Sequence, residues 1–132
     1  MRIAPKEAPC SGYAFGKGIY TADLVGKSLG YTCYSGSNDI ATFVLIEVAC
    51  GNQLETTKCG NFADLPAGKH STKFVHDYCP DPAGNETWFG DVNVPLGKVK
   101  SSTWMRGQEY IVYNTNQVKI RYLVRCKVGY FF

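Results

Sequence analysis

Residues 118–128 alternate between apolar and charged side chains, and this pattern constrains the fold more than any other in the chain. The apolar set is Val118, Ile120, Tyr122, Val124, Cys126 and Val128. The intervening set is Lys119, Arg121, Arg125 and Lys127, with Leu123 as the exception. Successive side chains of a β-strand point to opposite faces of its sheet. The alternation therefore predicts a strand with one buried face and one solvated face.

Residues 40–50 form a second strong pattern, a nearly continuous apolar run rich in β-branched side chains. Such a run is typical of a strand buried on both faces, so it predicts a central strand that ends at Gly51. Glu47 interrupts the run. Because a buried carboxylate needs a hydrogen-bonded or charged partner, we expect a structural role for Glu47.

The remaining predicted elements are short. Residues 15–22 and 109–113 have the composition of strands, and Asp23 is suited to cap a short helix over residues 24–31. The chain has 14 glycines and 6 prolines among its 132 residues, which indicates many turns. A chain of this length forms one domain. We therefore predict a single domain, residues 1–132, of the α+β class with a mainly antiparallel sheet.

Cysteine and histidine positions do not predict a metal site. The cysteines stand at positions 10, 33, 50, 59, 79 and 126, and no two of them have CxxC spacing. His70, His76 and Cys79 fit no standard zinc pattern. The even number of cysteines permits disulfides, but the lack of a signal peptide at the start favours a reducing compartment. No apolar run is long enough to span a membrane.

Charge is modest overall but uneven along the chain. The formal net charge is +3, which is too small to indicate nucleic-acid binding by itself. Residues 98–127, however, contain seven basic side chains and a single acidic one, Glu109. These basic residues form either a solvated strand face or a surface that attracts polyanions. The sequence favours the first interpretation.

Residues 16–31 carry the most specific chemical pattern. A glycine-punctuated strand leads to Tyr20, and Ser28 and Tyr31 follow at a spacing of three. Residues three apart share one face of a helix, so Ser28 and Tyr31 would point into one space that Tyr20 reaches from the strand. Two aromatic rings and a hydroxyl suit a flat aromatic ligand that carries an amide. The alternative is that these are ordinary core and surface residues.

The pattern belongs to a longer series of segments. These are RIAP at 2–5, EAP at 7–9, GY at 12–13, GKGIYTAD at 16–23, EVA at 47–49, GN at 51–52, LP at 65–66, GKHS at 68–71, PDP at 80–82, VPLG at 94–97 and EYIVY at 109–113. The series closely resembles the catalytic domain of poly(ADP-ribose) polymerases, in order and over nearly the whole chain. The resemblance implies an ADP-ribosyltransferase fold.

The resemblance also implies an enzyme that uses NAD as the ADP-ribose donor, needs no metal and releases nicotinamide. Its acceptors would be proteins or ADP-ribose itself. In the family, the tyrosines that match Tyr20 and Tyr31 flank the nicotinamide ring, and the serine that matches Ser28 hydrogen-bonds its carboxamide. The glutamate that matches Glu109 bonds a hydroxyl of the nicotinamide ribose and polarises the attacking hydroxyl. Glu109 and Tyr20 are therefore the candidate catalytic residues.

Three further residues are carried over as candidate NAD-binding residues. Lys27 matches a lysine near the active cleft, although a solvated helix residue is the alternative. Arg2 matches an arginine near the adenosine side of NAD, and Tyr13 matches a tyrosine that lines the cleft. The resemblance favours a nuclear location over a cytoplasmic one. The family's DNA-binding modules are not among the matched segments, so we expect no nucleic-acid-binding module in this chain, and the lack of a long apolar run predicts no membrane contact.

One motif of the family is missing. The family has a His-Gly pair shortly before the segment matched by Arg2, and no histidine precedes Tyr20 in this chain. The fold is thus expected to be N-terminally incomplete.

Three explanations would account for an incomplete fold. The chain would be a fragment, a protein completed by another N-terminal segment or chain, or a degenerate domain. The last case would make it an inactive module that binds NAD or nicotinamide, or an interaction module. The persistence of Tyr20, Ser28, Tyr31 and Glu109 favours the first two. An unrelated β-rich scaffold is the weakest alternative.

Overall fold

The computed structural model describes residues 1–5, 7–8, 12–34, 39–99 and 107–129. Within these ranges the strands are β1 Ile19–Ala22, β2 Ile40–Val48, β3 Gln53–Thr56, β4 Ser71–Phe74, β5 Glu86–Trp88, β6 Val92–Val94, β7 Glu109–Val112 and β8 Val118–Lys127. The helix α1 spans Val25–Leu29, and short 3₁₀ turns span Pro82–Gly84 and Thr115–Gln117. No helix in the described residues is long and apolar enough to cross a membrane.

The described strands form three sheets. The largest has the order β1-β7-β4-β3, in which only β3 and β4 run parallel. The antiparallel pair β2–β8 and the antiparallel pair β5–β6 form the other two. The predicted α+β class with a mainly antiparallel sheet is confirmed, as are strands in 40–50, 109–113 and 118–128 and a helix near 24–31.

The core lies on β7, which has a neighbouring strand on each side. Ile111 and Val112 point to opposite faces of this strand, and both are completely buried. Phe15 and Ile19 are also buried. Strand β7 is therefore buried on both faces.

The prediction of a doubly buried strand at 40–50 is wrong. Strand β2 pairs only with β8 in the described residues, and Leu45 is 48% exposed. On β8, Ile120 is 58% exposed and Tyr122 is 51% exposed, so the predicted burial of one face is not seen either. An apolar run predicts a strand from its own residues, but its burial depends on another element that packs against it.

The register of β2 and β8 shifts by one residue in the middle of the pair. Leu45 pairs with Tyr122, whereas Ile46 pairs with Ile120, so Arg121 is the extra residue on β8. Such a bulge changes the direction of the side chain that it contains. Arg121 reaches Glu47, with Nε 2.7 Å from the carboxylate Oε2. The expected partner of Glu47 is thus present, and it comes from the neighbouring strand.

Asp23 does not cap the helix, contrary to the prediction. The residue before α1 is Leu24, and its side chain makes no capping hydrogen bond. The Asp23 carboxylate instead accepts hydrogen bonds from Gln108 Nε2 and from the hydroxyl of Tyr110, each at 3.1 Å. These contacts with the start of β7 replace the local bond that sequence spacing suggested.

The predicted strand at 15–22 begins only at Ile19. Gly16 has a φ of +86°, a left-handed conformation that a strand does not contain and that favours glycine. Gly18 lies against β7, where an added Cβ would be 2.8 Å from the carbonyl oxygen of Val112. The two glycines therefore bring the start of β1 into close contact with the central strand.

The exposed apolar residues of the β2–β8 pair predict self-association of the isolated chain. Val44 and Leu123 face each other across the pair and are both exposed, and large apolar patches are uncommon on monomers. Sedimentation velocity should show concentration-dependent association, which the double substitution Val44→Thr with Leu123→Thr weakens. Val99→Thr, an exposed apolar position outside the pair, is the control. A monomer at every concentration would contradict this expectation.

Candidate functional site

A cleft of about 890 Å³ lies between two parts of the described structure. One wall comes from β1, α1 and the first residue of β7, and the other comes from β2, β8 and the β5–β6 hairpin. Six of the seven sequence-predicted site residues line it: Tyr13, Tyr20, Lys27, Ser28, Tyr31 and Glu109. Elements from the two ends of the chain thus converge on one cavity.

Glu109 and Lys27 form an ion pair in this cleft. The Glu109 side chain is 12% exposed and that of Lys27 is 23% exposed, and Lys27 Nζ contacts Glu109 Oε1. A charge that is largely removed from water is stable only when it is paired. Lys27 therefore lies in the cleft and not on a solvated helix face, and its role in binding NAD stays a prediction. The pair joins α1 to β7.

Tyr20 uses its hydroxyl to hold the preceding loop. The hydroxyl donates to the carbonyl oxygen of Gly16 at 2.7 Å and accepts from the backbone N–H of Phe15 at 2.9 Å. Burial raises the pKa of Tyr20 to about 12, so the phenol is protonated at neutral pH. The Tyr20 hydroxyl is thus already used both as a donor and as an acceptor. The part of Tyr20 that remains for contacts in the cleft is its ring.

Ser28 and Tyr31 line the same cleft, although not for the reason that the sequence suggested. Helix α1 ends at Leu29, and Gly30 follows as its C-cap. The three-residue helical spacing therefore does not extend to Tyr31. Its backbone N–H instead donates to the carbonyl of Ser28 in a turn, at 3.1 Å. Tyr31 is 80% exposed, so it stands at the mouth of the cleft with most of its ring free.

Tyr13 lies in the lining of the cleft, whereas Arg2 does not. The ring of Tyr13 lies 6.1 Å from that of Tyr20 between centroids, at an angle of 49°, a contact of two tilted rings. Arg2 is exposed and lies outside the cleft lining. Its role near the adenosine side of NAD stays a prediction.

Sequence analysis missed a polar cluster beneath Glu109. Asp23, Gln108 and Tyr110 are joined by the two hydrogen bonds described above. Burial raises the pKa of Asp23 above its usual range, against the effect of these bonds. Burial and the Asp23 carboxylate raise the pKa of Tyr110. The sequence shows one polar residue on each side of Glu109, Gln108 and Tyr110. Nothing in the sequence identified Asp23 as their partner.

The opposite wall of the cleft contains a second ion pair. The Arg121 guanidinium bonds Glu47 and lies 4.4 Å from the centroid of the Phe89 ring, a cation–π contact. Phe89 has a φ of +53°, which is unusual for a residue with a side chain. The contact with Arg121 holds this ring at the cleft wall.

The described residues contain no group of three or more His, Cys, Asp or Glu side chains that could hold a metal ion. Cys33, Cys50, Cys59, Cys79 and Cys126 are free thiols. Cys10 lies outside the described residues, as do Lys100 and Arg106 of the basic region.

Comparison with known proteins identifies the class to which this fold and cleft belong. Residues 1–128 match the family described as the poly(ADP-ribose) polymerase catalytic domain. This match covers nearly the whole chain, and the chain belongs to the poly(ADP-ribose) polymerase family.

Individual relatives support the same assignment. The chain is 45% identical to poly(ADP-ribose) polymerase 1 of Gallus gallus over 98% of its own length, and 46% identical to poly(ADP-ribose) polymerase 1 of Arabidopsis thaliana over 96%. It is 45% identical to poly(ADP-ribose) polymerase 2 of Arabidopsis thaliana over 98%. The chain spans only 13%, 13% and 21% of the lengths of these three relatives.

Proposed function

We propose that this chain is the part of an NAD-dependent ADP-ribosyltransferase that binds the nicotinamide end of NAD and supplies the catalytic carboxylate. The observation that carries the proposal is the Glu109–Lys27 ion pair in a cleft that Tyr20, Ser28 and Tyr31 also line. Membership of the poly(ADP-ribose) polymerase family supports it. The acceptor is a protein side chain or ADP-ribose, and the family favours a nuclear location.

The proposed binding residues contact different parts of nicotinamide. Tyr20 and Tyr31 offer aromatic faces for the nicotinamide ring, and a stacked pair contributes about 0.5–1.5 kcal/mol beyond burial. The hydroxyl of Ser28 bonds the carboxamide and fixes the orientation of the ring. Because the Tyr20 hydroxyl already bonds Gly16 and Phe15, this tyrosine acts through its ring and does not transfer a proton.

Glu109 takes part in the chemical step. In transfer, the bond between the ribose anomeric carbon and nicotinamide breaks, and nicotinamide leaves with the bonding electrons. The acceptor hydroxyl attacks the positively charged sugar carbon and loses its proton. A nearby carboxylate stabilises the positive charge and accepts that proton. Lys27 holds the Glu109 carboxylate in one direction before the acceptor arrives.

Nicotinamide release from radiolabelled NAD tests this proposal. The chain is assayed alone and as a chimera, in which it replaces the segment that it matches in the Gallus gallus relative. We expect labelled ADP-ribose on acceptor proteins with the chimera and an equal yield of free nicotinamide. A chimera that binds nicotinamide but releases none from NAD would instead favour the inactive binding module. A chimera that does neither, although folded, would contradict both.

A further inference from the structure

We propose that Asp23 is a positioning residue for Glu109, which acts by clamping the two residues that flank it. Its carboxylate Oδ2 accepts hydrogen bonds from Gln108 Nε2 and from the Tyr110 hydroxyl, at 3.1 Å each. One oxygen atom thus joins the residue before Glu109 to the residue after it. Asp23 itself directly follows β1, next to the register pair of Ala22 and Glu109.

The geometry of an extended strand explains why this clamp would control the direction of the Glu109 side chain. Side chains of consecutive residues in extended backbone point to opposite faces, so Gln108 and Tyr110 lie on the face away from the Glu109 side chain. Fixing both from that face prevents the backbone from rotating about residue 109. The Glu109 carboxylate is then held toward Lys27 on the other face.

The segment before Glu109 needs such a constraint. Gly107 has a φ of +31°, so the chain enters β7 through a turn that favours glycine. Gln108 comes before the first residue of β7 and is 8% exposed, so its amide requires a buried hydrogen-bond acceptor. Asp23 Oδ2 is that acceptor. Thr21 adds a bond from its hydroxyl to the carbonyl of Tyr110 at 3.0 Å, which secures the strand but not the flanking side chains.

Hydrogen exchange of the full chain without ligand tests the clamp itself. Asp23→Ala removes both clamp bonds and is expected to raise amide exchange in residues 107–112 roughly 10- to 100-fold, since the loss of one buried hydrogen bond corresponds to about tenfold, with little change elsewhere. Asp23→Asn keeps an oxygen that both donors can use and should restore protection. Asp39→Ala removes an aspartate paired with Lys127 outside the cleft and is the matched control.

A second variant keeps the test decisive if Asp23→Ala does not fold. Tyr110→Phe removes one of the two clamp bonds and leaves Asp23 in place, so it should give a smaller rise in exchange over the same residues. Unchanged exchange in 107–112, or an equal rise along the whole chain, in either folded variant would overturn the inference.

The catalytic consequence rests on the proposed function and is measured separately. In the chimera, Asp23→Ala should lower kcat roughly 10- to 100-fold through a displaced Glu109, with KM for NAD within about twofold. Asp23→Asn should recover most of kcat. A raised KM with unchanged kcat would contradict a positioning role. An inactive wild-type chimera would refute the proposed function, whereas the exchange result would still decide whether the clamp exists.

Discussion

Glu109→Gln is expected to lower ADP-ribose transfer by the chimera about 10²- to 10³-fold, the usual effect of removing a charge that stabilises a transition state. Glutamine keeps the size of the side chain and can still hydrogen-bond Lys27, so the cleft should keep its shape. It has no negative charge to stabilise a cationic sugar carbon, and it cannot accept the proton of the acceptor hydroxyl. Initial rates of nicotinamide release and the length of the product on a gel measure the loss.

Ser28→Ala is the matched control for this substitution. It changes another residue of the same cleft but leaves the carboxylate intact. We expect weaker binding of nicotinamide and a higher KM for NAD, with transfer that still depends on Glu109. Binding of nicotinamide to the Glu109→Gln protein should stay close to wild type. Product of wild-type length from Glu109→Gln would remove Glu109 from the catalytic role.

Sequence patterns predicted where the strands lie in the chain better than how deeply each strand is buried. The alternation at 118–128 and the apolar run at 40–50 correspond to β8 and β2. The two runs also pair with each other, but a strand's burial is set by what covers its faces, which local pattern does not contain. Strand β7 is much shorter, and its buried Ile111 and Val112 gave no comparable signal. Its central place follows from having β1 on one side and β4 on the other.

For the candidate site, too, the sequence identified individual residues but not the contacts between them. The family resemblance identified Lys27 and Glu109 separately, and the fold brings α1 and β7 close enough for them to pair. Asp23 was assigned to a local cap because capping depends on adjacent residues. Its partners, Gln108 and Tyr110, are 85 and 87 positions away in sequence. A contact of that separation exists only once β1 and β7 have paired.

Ile111→Ala should lower the free energy of unfolding by about 2–5 kcal/mol, the range for truncating a large buried aliphatic side chain. Ile111 is completely buried and lies opposite Tyr20 on β1 and Thr72 on β4. Its Cγ2 is so close to Gly18 that an added Cβ there would be 2.6 Å away. The neighbouring backbone therefore has little freedom to close the cavity that alanine leaves. Urea unfolding followed by circular dichroism measures the change.

Ile120→Ala makes the same chemical change at a site that is 58% exposed, and it should cost less than about 1 kcal/mol. The two variants together test which strand forms the core, because the alternation in the sequence predicted that Ile120 lies on a buried face of β8. Equal losses would mean that the core is not centred on β7. A large loss at Ile111 alone would have a further consequence for the site. Glu109 lies two residues before Ile111 on the same face of β7, so the packing that holds Ile111 also supports the backbone that carries the carboxylate.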